Sequence, residues 1–79
     1  MTRPRMPRRP RVPPPGWDEL LPLIERRVAA GIRREEVASS LGMSETWLAK
    51  LERGGVPVVS SVHRDAYAAA LDVLEAATP

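Results

Sequence analysis

The chain has 79 residues, which is enough for one small domain with a limited core. It contains no cysteine, which excludes disulfide frameworks and zinc fingers, and no apolar run approaches the ~20 residues that a membrane span needs. The formal charge of +2 is unevenly divided, since residues 1–16 hold five arginines and no acid, whereas residues 17–79 hold seven basic and ten acidic residues. We therefore expect a soluble, cytoplasmic protein whose folded part has a formal charge of −3.

The first sixteen residues differ in composition from the rest of the chain. They contain six of the nine prolines and few apolar side chains able to form a core. We predict a disordered or polyproline-like tail over residues 1–16 and a domain over residues 17–79. The basic residues of this tail are Arg3, Arg5, Arg8, Arg9 and Arg11.

The domain opens with apolar residues at helical spacing, which predicts a first helix ending near Gly31. Pro22 lacks an amide hydrogen and clashes with the preceding turn, so it is expected in the first turn of that helix. We therefore predict that the regular helix begins near Leu21. Asp18 and Glu19 would then flank its positive end.

Two short helices follow, separated by Gly42, which can adopt the left-handed conformation that ends a helix. The first would have Arg33 as its N-cap and Glu36 as its third residue. The second has a better N-cap in Ser44 and is predicted to run to about Arg53.

A last helix is predicted after residues 54–57, with Ser60 or Ser61 as its cap. Its small apolar stripe would pack on the domain or on a second subunit. The residues of this stripe are Val62, Ala66, Ala69, Ala70, Val73, Leu74 and Ala77. The fold class is therefore predicted as all-α: a small four- to five-helix bundle containing a helix-turn-helix, with a disordered N-terminal tail.

The second and third helices have the spacing of a helix-turn-helix. Ala38 is small where the helices would cross, and Gly42 turns the chain. The residues expected to bury between these helices are Val37, Leu41, Met43, Leu48 and Leu51. The outward residues of the third helix would be Glu45, Thr46, Ala49, Lys50 and Arg53. A helix of this length, exposed on one face, fits the major groove of DNA.

The stretch from Ile32 to Gly54 resembles the phage repressor and Cro class of XRE-like regulators. The resemblance is carried by Val37-Ala38-x-x-Leu41-Gly42-Met43-Ser44 and the ending Leu51-Glu52-Arg53-Gly54, and it covers roughly residues 20–57. It implies binding to double-stranded DNA. We expect a homodimer on symmetry grounds, since two half-sites read a palindrome, and no cofactor, small-molecule ligand or membrane association.

The same resemblance assigns Ser44, Glu45, Thr46 and Lys50 to base-reading positions. Lys50 would donate to guanine, and Thr46 would contact a thymine methyl group or a phosphate. Glu45 would either accept a hydrogen bond from a cytosine or adenine amino group or remain a solvated charge.

The other assigned positions would contact the DNA backbone or stabilise the fold. Arg34 replaces a glutamine that is usual in the family, and it would either bind a phosphate or be a solvated surface arginine. Arg53 is assigned to a phosphate, and Trp47 either packs or donates its indole hydrogen to a phosphate or a ribose. By the resemblance, Arg27 and Glu52 form a partly buried structural pair.

The tail arginines leave three readings open: entry into a minor groove, a non-specific electrostatic tether, or no role on DNA. An enzyme is not expected, because the chain has one histidine, His63, no cysteine and no glycine-rich phosphate loop. One alternative is an excisionase-like winged protein that bends DNA, with a hairpin near residues 55–59. Another is a protein-binding module that engages a regulator or RNA polymerase.

We therefore predict a sequence-specific DNA-binding transcriptional regulator. The resemblance makes it a phage or bacterial Cro-type repressor that acts by promoter occupancy.

Overall fold

The fold is described for residues 12–77 of a computed structural model. Four helices follow one another: α1 (Trp17–Ala29), α2 (Arg34–Leu41), α3 (Glu45–Glu52) and α4 (Ser61–Ala77). The described part contains no strand, which confirms the all-α prediction. None of its helices is both long and apolar enough to cross a membrane.

Helix α1 begins at Trp17, so the predicted start near Leu21 is wrong. The Trp17 side chain is buried, and its indole nitrogen donates to the backbone oxygen of Glu52 at 2.9 Å, which anchors the first turn. Pro22 therefore lies inside the helix. The carbonyl that it leaves unpaired belongs to Asp18, an exposed residue, so water can take the place of the missing hydrogen bond.

The turn before α1 is bonded to the domain, although the sequence assigns it to the tail. The carbonyl of Pro14 accepts a hydrogen bond from Trp17 N at 3.0 Å, and that of Pro15 accepts one from Val59 N at 2.8 Å. Gly16 has a φ of 86°, and a Cβ there would lie 2.1 Å from the oxygen of Val59. Only glycine fits this position without displacing its neighbours.

Helices α2 and α3 have the predicted N-caps, Arg33 and Ser44. The backbone N–H of Arg33 donates to Glu36 Oε2 at 2.8 Å, and Ser44 Oγ accepts from Trp47 N at 3.1 Å. Gly42 ends α2 with a φ of 70°. The predictions for these two helices and for the glycine between them are confirmed.

The four helices enclose one hydrophobic core. Its buried apolar residues are Trp17, Leu20, Ile24, Ile32, Val37, Ala38, Leu48, Leu51, Val59, Tyr67, Ala70 and Leu71. Among the residues predicted to bury between α2 and α3, Leu41 is half-buried and Met43 is exposed. The predicted burial of the Met43 side chain is wrong. In the turn after α2, the backbone N–H of Met43 donates to Ala38 O at 2.9 Å, and its side chain remains exposed.

Helix α4 contacts the core through a stripe that overlaps the predicted one only in part, at Ala70 and Leu74. Tyr67 and Leu71 are buried and Leu74 is half-buried, whereas Val62 and Val73 are exposed. The bulky side chains decide the orientation, since burying them removes more apolar area from water than burying alanines. The predicted packing of Val62 and Val73 is therefore wrong for the domain itself.

Residues 53–60 connect α3 to α4 without a strand. The hairpin required by the winged, excisionase-like alternative is therefore absent from this connection.

Candidate nucleic-acid interface

Helix α3 presents one polar face to solvent. Thr46, Lys50 and Arg53 are exposed, while Leu48 and Leu51 are buried on the opposite side. The spacing of three and four residues places the exposed side chains in one row over about two turns. This row has the shape and the donor groups that a major groove can accept.

Ser44 and Glu45 lie at the N-terminal end of that face, and both are exposed. The Ser44 hydroxyl oxygen accepts the cap hydrogen bond from Trp47 N, so its own hydrogen remains available to another group. Glu45 forms no ion pair with any residue between 12 and 77. The positive end of the helix stabilises its carboxylate instead.

Helix α3 ends at a buried ion pair. Arg27 donates from Nε to Glu52 Oε2 at 3.0 Å and from Nη2 to Glu52 Oε1 at 3.1 Å, with both side chains almost fully buried. Arg27 Nη1 also donates to the backbone oxygen of Ile32 at 2.9 Å. The structure thus brings together the two residues that the sequence assigned to a structural pair.

Tyr67 completes this cluster by donating its phenol hydrogen to Glu52 Oε2 at 2.6 Å. Burial raises the pKa of Tyr67 above its ordinary value, and the adjacent carboxylate raises it further. The sequence reading missed Tyr67, although its spacing of four residues to Leu71 marked both for the same helix face.

Glu52 connects α3 to the other three helices. Its carboxylate binds Arg27 of α1 and Tyr67 of α4, and it lies 3.8 Å from Arg34 Nε of α2. One carboxylate is thus shared by two arginines, which leaves the cluster with an excess positive charge. Arg34 is about one-third exposed and can direct that charge to an anion outside the domain.

Trp47 lies beside the row of exposed residues. It is half-buried against the core, and its ring centroid is 5.0 Å from that of His63 in an edge-to-face arrangement with an interplanar angle of 67°. This contact joins the start of α3 to the start of α4. No pattern in the sequence predicts this partner for His63.

The acidic excess of the domain lies away from α2 and α3. Helices α1 and α4 together carry three basic and six acidic residues, whereas residues 33–54 carry four of each. Arg26 bridges α1 and α4 through Asp72, at 2.5 Å, and Glu75. The net charge of −3 is thus carried by α1 and α4, while residues 33–54 are formally neutral. The five predicted tail arginines lie outside the described residues.

A family model for a helix-turn-helix domain matches residues 23–79. No curated protein and no solved structure is significantly similar to the chain. The matched region contains α2, α3 and α4 and most of α1, and it makes up more than half of the chain. The chain therefore belongs to the helix-turn-helix domain family, a membership that indicates a DNA-binding regulator.

Proposed function

We propose that the protein is a sequence-specific transcriptional regulator that places α3 in the major groove of DNA. The observation that carries this proposal is the exposed row of Thr46, Lys50 and Arg53. This row lies on a helix whose opposite side is buried and whose end is fixed by Glu52. A rigidly held helix with a free polar face is suited to reading base edges.

Sequence preference would come from Ser44 and from the outward residues of α3. Lys50 donates to guanine O6 or N7, and Thr46 contacts a thymine methyl group. Glu45 accepts from the amino group of cytosine, which spares its carboxylate the repulsion of a nearby phosphate. Ser44 offers its hydroxyl hydrogen beside them.

Affinity would come from contacts with the DNA backbone. Arg34 on α2 and Arg53 at the end of the row bind phosphates, and the five tail arginines add a charge of +5 that the domain lacks. These contacts are independent of base identity. They strengthen binding to every sequence and make it depend on salt.

The regulator acts as a homodimer that represses transcription by occupying a promoter, as in the Cro type. Two copies would read a palindrome with half-sites about 34 Å apart, which places adjacent α3 helices one helical turn of DNA apart. This function places the protein in the cytoplasm, on the nucleoid of a bacterium or on phage DNA.

The acidic excess on α1 and α4 favours a second candidate, a module that binds another regulator or RNA polymerase. Asp18, Glu19, Glu25 and Asp65 are exposed on these two helices. Such a surface suits a basic protein partner and repels DNA. This surface lies on α1 and α4, whereas the row lies on α3. The two candidate functions therefore predict different results in a DNA-binding experiment.

Selection of bound duplexes from a random pool tests the proposal, followed by gel-shift titrations of the best duplex at several salt concentrations. We expect one enriched palindromic motif and an affinity that falls linearly with salt on logarithmic axes. Sequences that remain random after selection, with no dependence of binding on salt, would contradict DNA binding and favour the protein-binding module.

A further inference from the structure

His63 carries a buried polar atom that lacks a partner. Within residues 12–77, His63 Nδ1 is the buried side-chain nitrogen or oxygen with no hydrogen bond. A proton on Nδ1 would bury an unpaired donor beside the apolar core, so the proton belongs on Nε2. The imidazole therefore presents an N–H group on the side that is not buried.

His63 also lines a shallow cavity between the starts of α3 and α4. The cavity has a volume of about 440 Å³ and is lined by Met43, Ser44, Trp47 and His63. Three of these residues carry hydrogen-bond donors: the imidazole and indole N–H groups, which no described residue accepts, and the Ser44 hydroxyl, whose hydrogen is free. No carboxylate lines the cavity.

Two other cavities of the domain differ in chemistry. One contains Glu35 and Glu36, whose carboxylates repel an anion. The other, between Leu41 and Val73, has a mostly apolar lining. In a domain with an acidic excess, the cavity beside α3 thus combines several donors with the absence of negative charge. Such a lining matches an anion that has several acceptor oxygens.

We infer that Trp47 and His63 form a binding site for a phosphodiester of the DNA backbone. The inference rests on the proposed function, because only a helix α3 seated in the major groove brings a strand to this cavity. The edge-to-face contact between the rings holds both N–H groups in place before DNA arrives. His63 thereby becomes a DNA-binding residue, and Ser44 supplies a third donor.

The variant His63→Phe separates this role from a structural one. Phenylalanine retains a ring against Trp47 and removes the unpaired Nδ1, so the thermal midpoint should stay the same or rise. Affinity for the selected duplex should fall roughly tenfold, the loss expected for one hydrogen bond to a charged group. Trp47→Phe removes the indole N–H together with part of the ring that packs against the core, and below its thermal midpoint it should weaken binding similarly. Val62→Ala, an exposed neighbour, is the matched control and should bind normally.

Duplexes with one neutral methylphosphonate identify the phosphate. For the unmodified protein, affinity should fall roughly tenfold at the backbone position that Trp47 and His63 bind in each half-site, besides the losses at the phosphates of Arg34 and Arg53. For His63→Phe, the same position should cause no further loss. Equal affinity of His63→Phe and the unmodified protein would overturn the inference. So would a methylphosphonate that weakens His63→Phe as much as it weakens the unmodified protein. If the unmodified protein selects no sequence, the proposed function itself fails.

Inorganic phosphate distinguishes the backbone of DNA from a free anion as the ligand. The indole N–H resonance of Trp47 should shift only at millimolar phosphate, because a lone anion lacks the contacts that seat the duplex. Saturation at micromolar phosphate would overturn the assignment to DNA.

Discussion

The guanidinium of Arg27 donates two hydrogen bonds, of 3.0 and 3.1 Å, to the two carboxylate oxygens of Glu52, and neither side chain is more than 1% exposed. The pair joins α1 to the last residue of α3. Its planar, bidentate geometry fixes an angle as well as a distance. The direction in which α3 points thus depends on this contact.

Replacement of one partner should destabilise the domain strongly. Glu52→Gln leaves Arg27 buried without its counter-ion, and such losses cost about 3–5 kcal/mol. We expect a sharp fall in the free energy of unfolding, measured by urea titration with far-ultraviolet circular dichroism. Glu35→Gln provides the control, because its pair with Arg33 is exposed and should contribute less than ~1 kcal/mol. Similar losses for both variants would contradict the importance of burial.

The Tyr67 phenol makes stability sensitive to high pH. Its pKa is raised in the folded state, so the folded protein keeps this proton where the unfolded chain releases it. The contribution is complete below pH ~10 and declines as the pH rises above that value, by about 1.4 kcal/mol per pH unit. Urea titrations at several alkaline pH values would measure this decline.

Tyr67→Phe should remove that pH dependence while it lowers stability at neutral pH. Tyr67 is the only tyrosine, so the near-ultraviolet absorbance of tyrosinate reports on this residue alone. In the folded protein the absorbance should stay constant until unfolding begins. Ionisation near pH 10 without unfolding would show that the phenol is not held by burial and Glu52.

Gly16 and Gly31 provide a matched test of steric overlap. Both have positive φ angles, but a Cβ at Gly16 would lie 2.1 Å from Val59 O, whereas a Cβ at Gly31 meets no atom within 4 Å. Gly31→Ala should cost about 1–2 kcal/mol from backbone strain alone. Gly16→Ala should cost more, since the turn must move away from the backbone of Val59 in the connection before α4. Equal thermal midpoints for the two variants would contradict a tight contact at Gly16.

Lys50→Ala should weaken binding to the selected duplex by about 1–3 kcal/mol and relax the preference at one base pair. Thr46→Ala should relax a different position. The control is Arg26→Ala, which removes the same charge from α1 and should leave the base preference intact. Competition gel shifts with single-base variants of the duplex measure these effects. Unchanged affinity for both α3 variants, with the fold retained, would exclude α3 as the reading helix.

The five tail arginines should affect affinity without affecting preference. Their replacement by alanine in the full chain removes up to five phosphate contacts, each contributing about 0.9 to the logarithmic salt slope. We expect weaker binding, a shallower slope and the same selected motif. If the tail enters a minor groove, its replacement would instead weaken the base preference at the positions that flank the motif.

The sequence predicts α2 and α3 well because local signals define their ends. Ser44 caps its helix with its own side chain, and Gly42 supplies the conformation that the turn requires. The start of α1 was missed because a tertiary contact decides it: Trp17 is bonded to a residue that is distant in sequence, Glu52. The contact between Trp17 and Glu52 outweighs the effect of Pro22 on the local backbone.

The orientation of α4 was missed for a different reason. Alanines and valines at helical spacing formed one plausible stripe, while Tyr67 and Leu71 formed another with more bulk. The pair of Arg27 and Glu52 was expected only through the resemblance, since no local pattern marks two charges for burial together. The pairing of Trp47 with His63 depends on how α3 and α4 meet.

Glu52 supports α3 from its buried end, while Thr46 and Lys50 make no contribution to the core. The residue that holds α3 in place and the residues proposed to contact bases are thus different residues of one short helix. On the proposed function, the operator preference of such a protein can diverge through changes at the exposed positions without loss of foldability. The same separation makes the domain a suitable scaffold for redirecting a regulator to a new site.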